Sequence, residues 1–569
     1  MGTAASIANL AQSHFTTRFH PEKSHLKKLK PETRPNTKNI LFVTSEYSDL
    51  IKAGGLGDVS SALPKAMLKR SDVRILIPGY KQVVDSGYPI TVVDELPAYA
   101  ELPACKIGRL QIDTGPIIYV VLSPELYERE GNPYGDIKGT DWDDNPIRFA
   151  RLSLAAAEIA RGRNAFQWQP ELVHSHDWPA ALTSAYMKWQ GQYTPTVFTI
   201  HNLAHQGLCA PEYLEKLGLA ENSFSIDNME FYGRLSFMKA GINYSSHITT
   251  VSETYAREIT QPDFGCGLDG LLKQKFDQGL LTGITNGIDE SWEPDSDPNL
   301  IQSFRASKWH GKHANTRYLE HIFNLKPSSA PLFAVVSRLA HQKGLDLTLR
   351  IAEVIVRAGG RLIVMGTGEK KIEKELLQLA ERHPHHIGVH IGFNEAEARR
   401  IFAGSDFLLM PSRFEPCGLS QMYAQRFGSL PIAHKTGGLA DTIDDGLNGF
   451  LFSDLSIESY TRAVQRALSV FKHRDLLCAM RCHAMASPLY WKQSVQPYDQ
   501  LYRRLIKGIK IENSDAGTNT SSVKNAELER PKYLASELIN RERENRDPLK
   551  RNTHNNEKFI SSLINRRHA

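Results

Sequence analysis

The chain predicts an α/β protein made of two doubly wound domains, and three observations carry that expectation. From Asn39 onward, short apolar, β-branched runs alternate with stretches whose apolar residues recur at helical spacing. Most of the runs end in a polar cluster, as strands of a mostly parallel sheet do where they present groups to a ligand. The alternation occurs as two series, joined near residues 287 to 330.

The first strand is NILFVTS, Asn39 to Ser45, followed by KAGGLG at Lys52–Gly57 and a helix in DVSSALPKAMLKR from Asp58. A loop stripped of side chains between strand and helix brings backbone N–H groups and the positive helix end to an anion, with phosphate the first expectation. Neither formal fingerprint is present: the third glycine of the dinucleotide pattern is missing and no Gly-Lys-Ser/Thr follows. Taken alone, the segment reads equally as a tight turn that needs glycine for its dihedrals. VRILIPGY, IIYVVLS, LVHSHDW, TVFTIHN and SHITTVS continue the first series. The second runs PLFAVVSRLAHQKG, RLIVMGTGE, IGVHIGF, FLLMPSRFEPCG and LPIAHKTGG, separated by helical stretches such as EKKIEKELLQLAERH. SPLYWKQSVQPYDQLYRRLI, from Ser487, is amphipathic at helical spacing and ends the ordered chain. Residues 511–569 read as a polar, mostly disordered tail with a short helix around AELERPKYLASELINRERE.

Composition narrows the classes. A chain of 569 residues, 41% hydrophobic and 23% charged, has ample core for two or more soluble domains. Its net charge of +5 belongs to the tails: residues 1–38 and 511–569 hold 18 of the 68 basic and 11 of the 63 acidic residues, which leaves the body slightly acidic at 50 against 52. That body makes no general case for nucleic acid. Six cysteines without a CxxC pair argue for a reduced, cytoplasmic protein lacking a disulfide frame or structural zinc. No apolar run approaches a membrane span, and the first residues lack the apolar core of a signal peptide. Met1-Gly2 with Ser6 matches the myristoylation pattern, which is too short to carry weight. The basic, acid-poor start also admits a transit peptide, and a disordered cytosolic tail is the default.

Several residues carry chemistry. Arg338 and Lys343, five apart around a strand-to-helix turn, suit a diphosphate as fork and point charge, although the pair alone also suits a solvated loop. Glu415 lies in the turn after FLLM, where a carboxylate can bind a sugar hydroxyl, steady a positive charge or orient a partner, and Gly418 opens the next helix. Thr436-Gly437-Gly438 repeats the opening glycine loop, so that two such loops from two domains are expected to grip one ligand. HPHHIGVH, with His383, His385, His386 and His390, reads as a solvated loop rather than a metal site. Strand alternation puts His174 and His176 on one face and Asp177 on the other. Cys478 and Cys482, one helical turn apart, read as core.

Together KAGGLGDVSSALP, HSHDWPAAL, TIHNLAHQG, GITNGID, SRLAHQKGLD, PSRFEPCGL and TGGLADTI resemble, in order, the bacterial glycogen synthases and plant starch synthases, glycosyltransferases of the GT-B fold. The resemblance covers about Asn39 to Ile506 and implies two Rossmann-like domains facing a central cleft. The acceptor-side domain would span 39–287, the nucleotide-sugar domain 288–486, and a C-terminal helix, 487–510, would cross back to the first, with tails at 1–38 and 511–569. It further implies glycogen synthesis by retaining transfer of glucose from ADP-glucose to the non-reducing 4-hydroxyl of an α-1,4-glucan, with release of ADP and without metal or other cofactor. No nucleic-acid or membrane partner is implied, and oligomeric state stays open.

The resemblance also assigns roles. Lys52, Gly54 and Gly55 would face the donor's diphosphate and sugar, and Arg338 and Lys343 would neutralise the leaving ADP. His201 and Asn286 would contact the glucosyl unit, and Asp177 would border the acceptor side. Glu415 would sit near the sugar hydroxyls, with Cys417 and Gly418 lining the same pocket and Thr436, Gly437 and Gly438 completing the substrate site. Phe393 occupies the place where a tyrosine commonly stacks on adenine. Tyr423 stands where many retaining GT-B enzymes carry a second glutamate, so a double-carboxylate mechanism is not expected; front-face attack, with the departing phosphate oxygen taking the acceptor's proton, is. His434-Lys435 replaces a frequent arginine pair. The alternatives are a GT-B α-glucan phosphorylase using pyridoxal phosphate, a transferase using UDP-glucose, and a non-catalytic glucan- or nucleotide-binding module.

Overall fold

The computed structural model describes residues 37–516; the readings of residues 1–36 and of the chain beyond 516, the myristoylation pattern included, lie outside them. The runs that predicted strands form strands because their β-branched and aromatic side chains are covered on both faces. β1 (Lys38–Val43) buries five of its six residues between two parallel neighbours. In chain order it is followed by β2 (Ser71–Pro78), β3 (Thr91–Leu96), β4 (Cys105–Gln111), β5 (Ile117–Leu122), β6 (Leu172–His176) and β7 (Thr196–Ile200). A small antiparallel excursion, β8 (Leu208–Cys209), β9 (Glu230–Phe231) and β10 (Arg234–Ser236), precedes β11 (His247–Thr250) and β12 (Leu281–Gly283).

The nine-stranded sheet runs β12-β11-β7-β6-β1-β2-β5-β4-β3, parallel except for the β4 and β3 pairings at one edge. That edge hairpin was not among the expected strands. β3 is TVVDEL, with three of its six residues exposed, so it offers no continuous apolar run. The second sheet comprises β13 (Leu332–Val336), β14 (Arg361–Gly366), β15 (Ile387–Ile391), β16 (Phe407–Met410), β17 (Leu430–His434) and β18 (Phe450–Phe452), all parallel, in the order β15-β14-β13-β16-β17-β18.

Both sheets have a topological switch point, which is where an open parallel sheet receives ligands. In the first, the chain leaves β1 for β2 on one side and returns as β6 on the other, so the loops after β1 and β6 diverge from a shared crevice. In the second, β14 and β16 flank β13, bringing the loops that begin at Ser337 and Pro411 together.

Two crossings join the sheets and pair with each other. Ile288 N–H donates to Leu489 O at 2.8 Å and Trp491 N–H to Ile288 O at 3.3 Å. Gly287 allows the approach, since a Cβ there would collide with the Trp491 backbone. The helix Trp491–Ala516 then returns to the first sheet. There the buried Tyr502 hydroxyl meets His174 Nδ1 at 2.7 Å, and Asp499 binds Lys38 of β1 at 2.6 Å. Among the described residues, no helix is long and apolar enough to cross a membrane.

Candidate active site

The strand ends of the two sheets face each other. Ser252 Oγ, just past β11, donates to Pro416 O of the second domain at 2.6 Å, and Lys52 Nζ lies 6.0 Å from the Phe393 ring centroid. Phe393 is 60% exposed, which leaves its ring face open for stacking.

The glycine loop is organised by Glu46, which the sequence did not single out. Its buried carboxylate accepts from the Ala53 and Gly54 N–H groups at 2.8 and 2.9 Å through Oε2, and from the Tyr134 hydroxyl at 2.6 Å through Oε1. The helix starts at Gly55, three residues before the expected Asp58, so Gly55 and Gly57 belong to its first turn. Lys52 binds Asp58 at 2.6 Å. The Gly54 amide and the Lys52 ammonium are thus both held by carboxylates of their own domain, and Gly55 lies against Leu419 across the cleft.

Asp177 follows β6 with φ 58°, a conformation that costs a non-glycine residue about 1–3 kcal/mol and that recurs at functional sites. Burial pushes its carboxyl up to about 7 despite hydrogen bonds from the His201 and Asn202 backbone. Its Oδ1 and the Asn286 Oδ1 are buried with no protein partner, a condition in which a ligand hydroxyl can offset the desolvation. His201 and His176 share a hydrogen bond of 3.0 Å between Nε2 and Nδ1, and burial depresses both, His201 to about 3, so the pair is neutral at pH 7. His174 and His176 do share one face, with ring centroids 4.0 Å apart.

Asp177 gives a pH prediction. Its folded pKa lies above the unfolded value of roughly 3.9, so between about pH 4 and 7 the folded chain holds a proton that the unfolded chain has lost. This group's contribution to stability should therefore fall as pH rises across that window, and Asp177→Asn should flatten the decline in a urea-midpoint series. Identical slopes would remove the assignment.

In the second domain, Lys343 Nζ lies 2.6 Å from Glu415 Oε2, and Ser412 Oγ donates to the same oxygen at 2.9 Å. Gly344, at φ 66°, makes this possible: it packs so tightly on the Pro411 carbonyl that no Cβ fits. Arg338 is exposed and makes no ion pair with the described residues. Its charge, after burial, depresses His205 of the first domain, so the guanidinium faces the HNLAHQG loop. Cys417 is buried, its thiol pushed up to about 12, and Gly418 turns the chain at φ 75°.

The remaining glycine loop is occupied differently from the expected ligand grip. Thr436 Oγ1 and the Gly437 N–H donate to Glu258 of the first domain at 2.9 and 3.0 Å. A Cβ at Gly437 or Gly438 would collide with the carbonyls of Glu415 or Cys417. His434 bonds the Ser412 and Ser453 carbonyls through its two ring nitrogens, at 2.8 and 3.2 Å. Tyr423 is buried and stacks on Trp292 of the first crossing at 3.6 Å, and Trp292 also carries the Arg399 guanidinium at 3.8 Å. Among the described residues no group of three or more His, Cys, Asp or Glu side chains is arranged to hold a metal ion; His390 pairs with Glu397 at 2.9 Å.

Two doubly wound domains whose strand ends face one another across such a cleft define a glycosyltransferase of the GT-B class. The starch synthase catalytic domain family matches residues 39–274, and glycosyl transferases group 1 match residues 319–476. A glycogen synthase of Pseudomonas syringae pv. syringae (strain B728a) is 59% identical over 472 residues, covering 83% of this chain and 97% of that protein. One from Pseudomonas aeruginosa is 58% identical over 480 residues, covering 84% and 94%. The catalytic domain of Starch Synthase IV from Arabidopsis thaliana, bound to ADP and acarbose, superposes with a TM-score of 0.74 at 29% identity, over 83% of this chain and 100% of that one. Sucrose-phosphate synthase from Thermosynechococcus elongatus, at 14% identity and TM-score 0.51, shares the fold. The chain belongs to the glycogen synthase and starch synthase family.

Proposed function

We propose that this transferase moves glucose, with retention, from ADP-glucose to the non-reducing 4-hydroxyl of an α-1,4-glucan and releases ADP, in glycogen biosynthesis. The observation that carries the reading is the Lys343–Glu415 pair beside Arg338 at the second switch point, with the Arg338 charge close enough to His205 of the first domain to depress it. Arg338 and Lys343 supply positive charge where the diphosphate leaves, the electrostatic task given to a divalent ion in other transferases. Glu415, held by Lys343 and Ser412, meets the sugar hydroxyls, and Asp177 and Asn286 offer acceptors to the glucosyl unit and the glucan. Tyr423, packed under Trp292, supplies no second carboxylate, which favours front-face attack with proton transfer to the departing phosphate oxygen. A cytoplasmic setting agrees with six free cysteines.

ADP-glucose with glycogen should release ADP and lengthen the glucan, and a chelator should leave the rate unchanged. Release only from UDP-glucose would reassign the donor. Magnesium-dependent turnover would overturn the role given to the two cations, and phosphate-dependent glucan breakdown would favour a phosphorylase.

A further inference from the structure

The helix Glu253–Glu258 of the first domain has two unlike faces. Glu253 and Arg257 form an exposed pair at 3.6 Å. Thr254 and Glu258, one turn apart on the other side, both reach the second domain. Thr254 binds the Asp441 carboxylate through its N–H at 2.9 Å and its hydroxyl at 2.5 Å. Glu258 accepts from the Thr436 hydroxyl at 2.9 Å and takes the Gly437 N–H between its two oxygens at 3.0 and 3.1 Å.

What Glu258 holds leads directly to the reactive segment. Gly438 N–H donates to the Glu415 carbonyl at 3.1 Å, and Gly437 and Gly438 press on the Glu415 and Cys417 carbonyls too closely for any side chain. Ser252, at the start of the same helix, fixes the Pro416 carbonyl at 2.6 Å. The backbone bearing Glu415 is therefore clamped from the first domain on both sides, at Pro416 directly and at Glu415 through the Thr436–Gly438 loop.

We propose that Glu258 is a positioning residue for the transfer reaction: through Thr436 and Gly437 it sets the Glu415–Cys417 segment, so that the first domain fixes the reactive carboxylate of the second. Misplacement of a reacting group by about an ångström costs on the order of a hundredfold in rate, and no contact of Glu258 reaches Arg338, Lys343 or Phe393. The inference rests on the transfer activity proposed above. A wild-type chain that fails to release ADP from ADP-glucose would sink that reading; the variants below, measured in an active enzyme, test this one.

The full chain carrying Glu258→Ala should lose roughly a hundredfold in kcat while its KM for ADP-glucose stays within about threefold of wild type. Thr254→Val, which removes an interdomain hydrogen bond of the same helix without touching Gly437, should keep most of the kcat. Combining Glu258→Ala with Thr436→Val should cost little more than Glu258→Ala alone, because both break one linkage. A wild-type kcat in Glu258→Ala, an equal loss in Thr254→Val, or additive losses in the double variant would each overturn the proposal.

Discussion

Replacing Lys343 by alanine should lower turnover by roughly a thousandfold, the upper scale for loss of one preorganised charge at a reacting centre. The Lys343 side chain is only 17% exposed and the Glu415 side chain 7%, so the 2.6 Å pair is sheltered from solvent screening. Alanine removes a cation from the diphosphate and also leaves a buried carboxylate with Ser412 as its remaining side-chain partner. Arg338→Ala should cost less, roughly a hundredfold, and leave stability unchanged, because that guanidinium is exposed and makes no ion pair with the described residues. Lys343→Ala should lower the denaturation midpoint as well. Initial rates of ADP release at saturating ADP-glucose and glycogen, alongside thermal melts, separate the two variants. Wild-type turnover in both would remove the cations from the site.

Much of the fold was legible because a parallel strand covered on both faces must be a continuous apolar run. LFAVV and RLIVMG are such runs and became β13 and β14. The antiparallel edge strand β3 was not, since half its residues meet solvent, and β18 is only three residues long. The cleft was legible where one local pattern carries both position and chemistry. Arg338, Lys343 and Glu415 each sit in a loop that leaves a strand end, and the order of β14, β13 and β16 brings those loops together.

Carboxylates whose partners are set by tertiary packing were invisible. Nothing in SETYARE distinguishes Glu258, which reaches 179 residues along the chain to Gly437, from Glu253, which points to solvent. Glycine carries a related ambiguity. Removing a Cβ is needed whether a ligand or another backbone approaches, and at Gly437 and Gly438 the approaching group is the Glu415–Cys417 backbone. The opening loop mixes both: a Cβ at Gly57 would crowd Glu46 and Lys52 at 3.2 Å, whereas Gly54 has open space around it.

Lys312→Met should destabilise the second domain by about 3–5 kcal/mol, since each buried carbonyl left without a donor costs about 1–3 kcal/mol. Lys312, in the helix His310–Ile322, is 2% exposed. Its Nζ donates to Phe427 O at 2.9 Å, Ala403 O at 3.0 Å and Phe402 O at 3.4 Å. Those carbonyls close the helices Glu395–Gly404 and Ser420–Arg426, whose C-terminal ends therefore converge on one buried amine donor. Methionine keeps the length and apolar bulk but offers no donor, so three buried carbonyls lose their partner together. The pH dependence identifies the cause. Burial, followed by the nearby Arg481 charge, pushes the Lys312 pKa well below its usual value, while Asp406 opposes the shift. The unfolded chain thus binds the proton more tightly, and the stability this residue contributes should rise with pH from neutral toward the ordinary lysine range. Urea midpoints of wild type and Lys312→Met should accordingly diverge further at alkaline than at neutral pH. Equal midpoints at both would show that the three carbonyls find other donors, and a gap that narrows with pH would mean the charge itself, rather than its hydrogen bonds, holds the helix ends together.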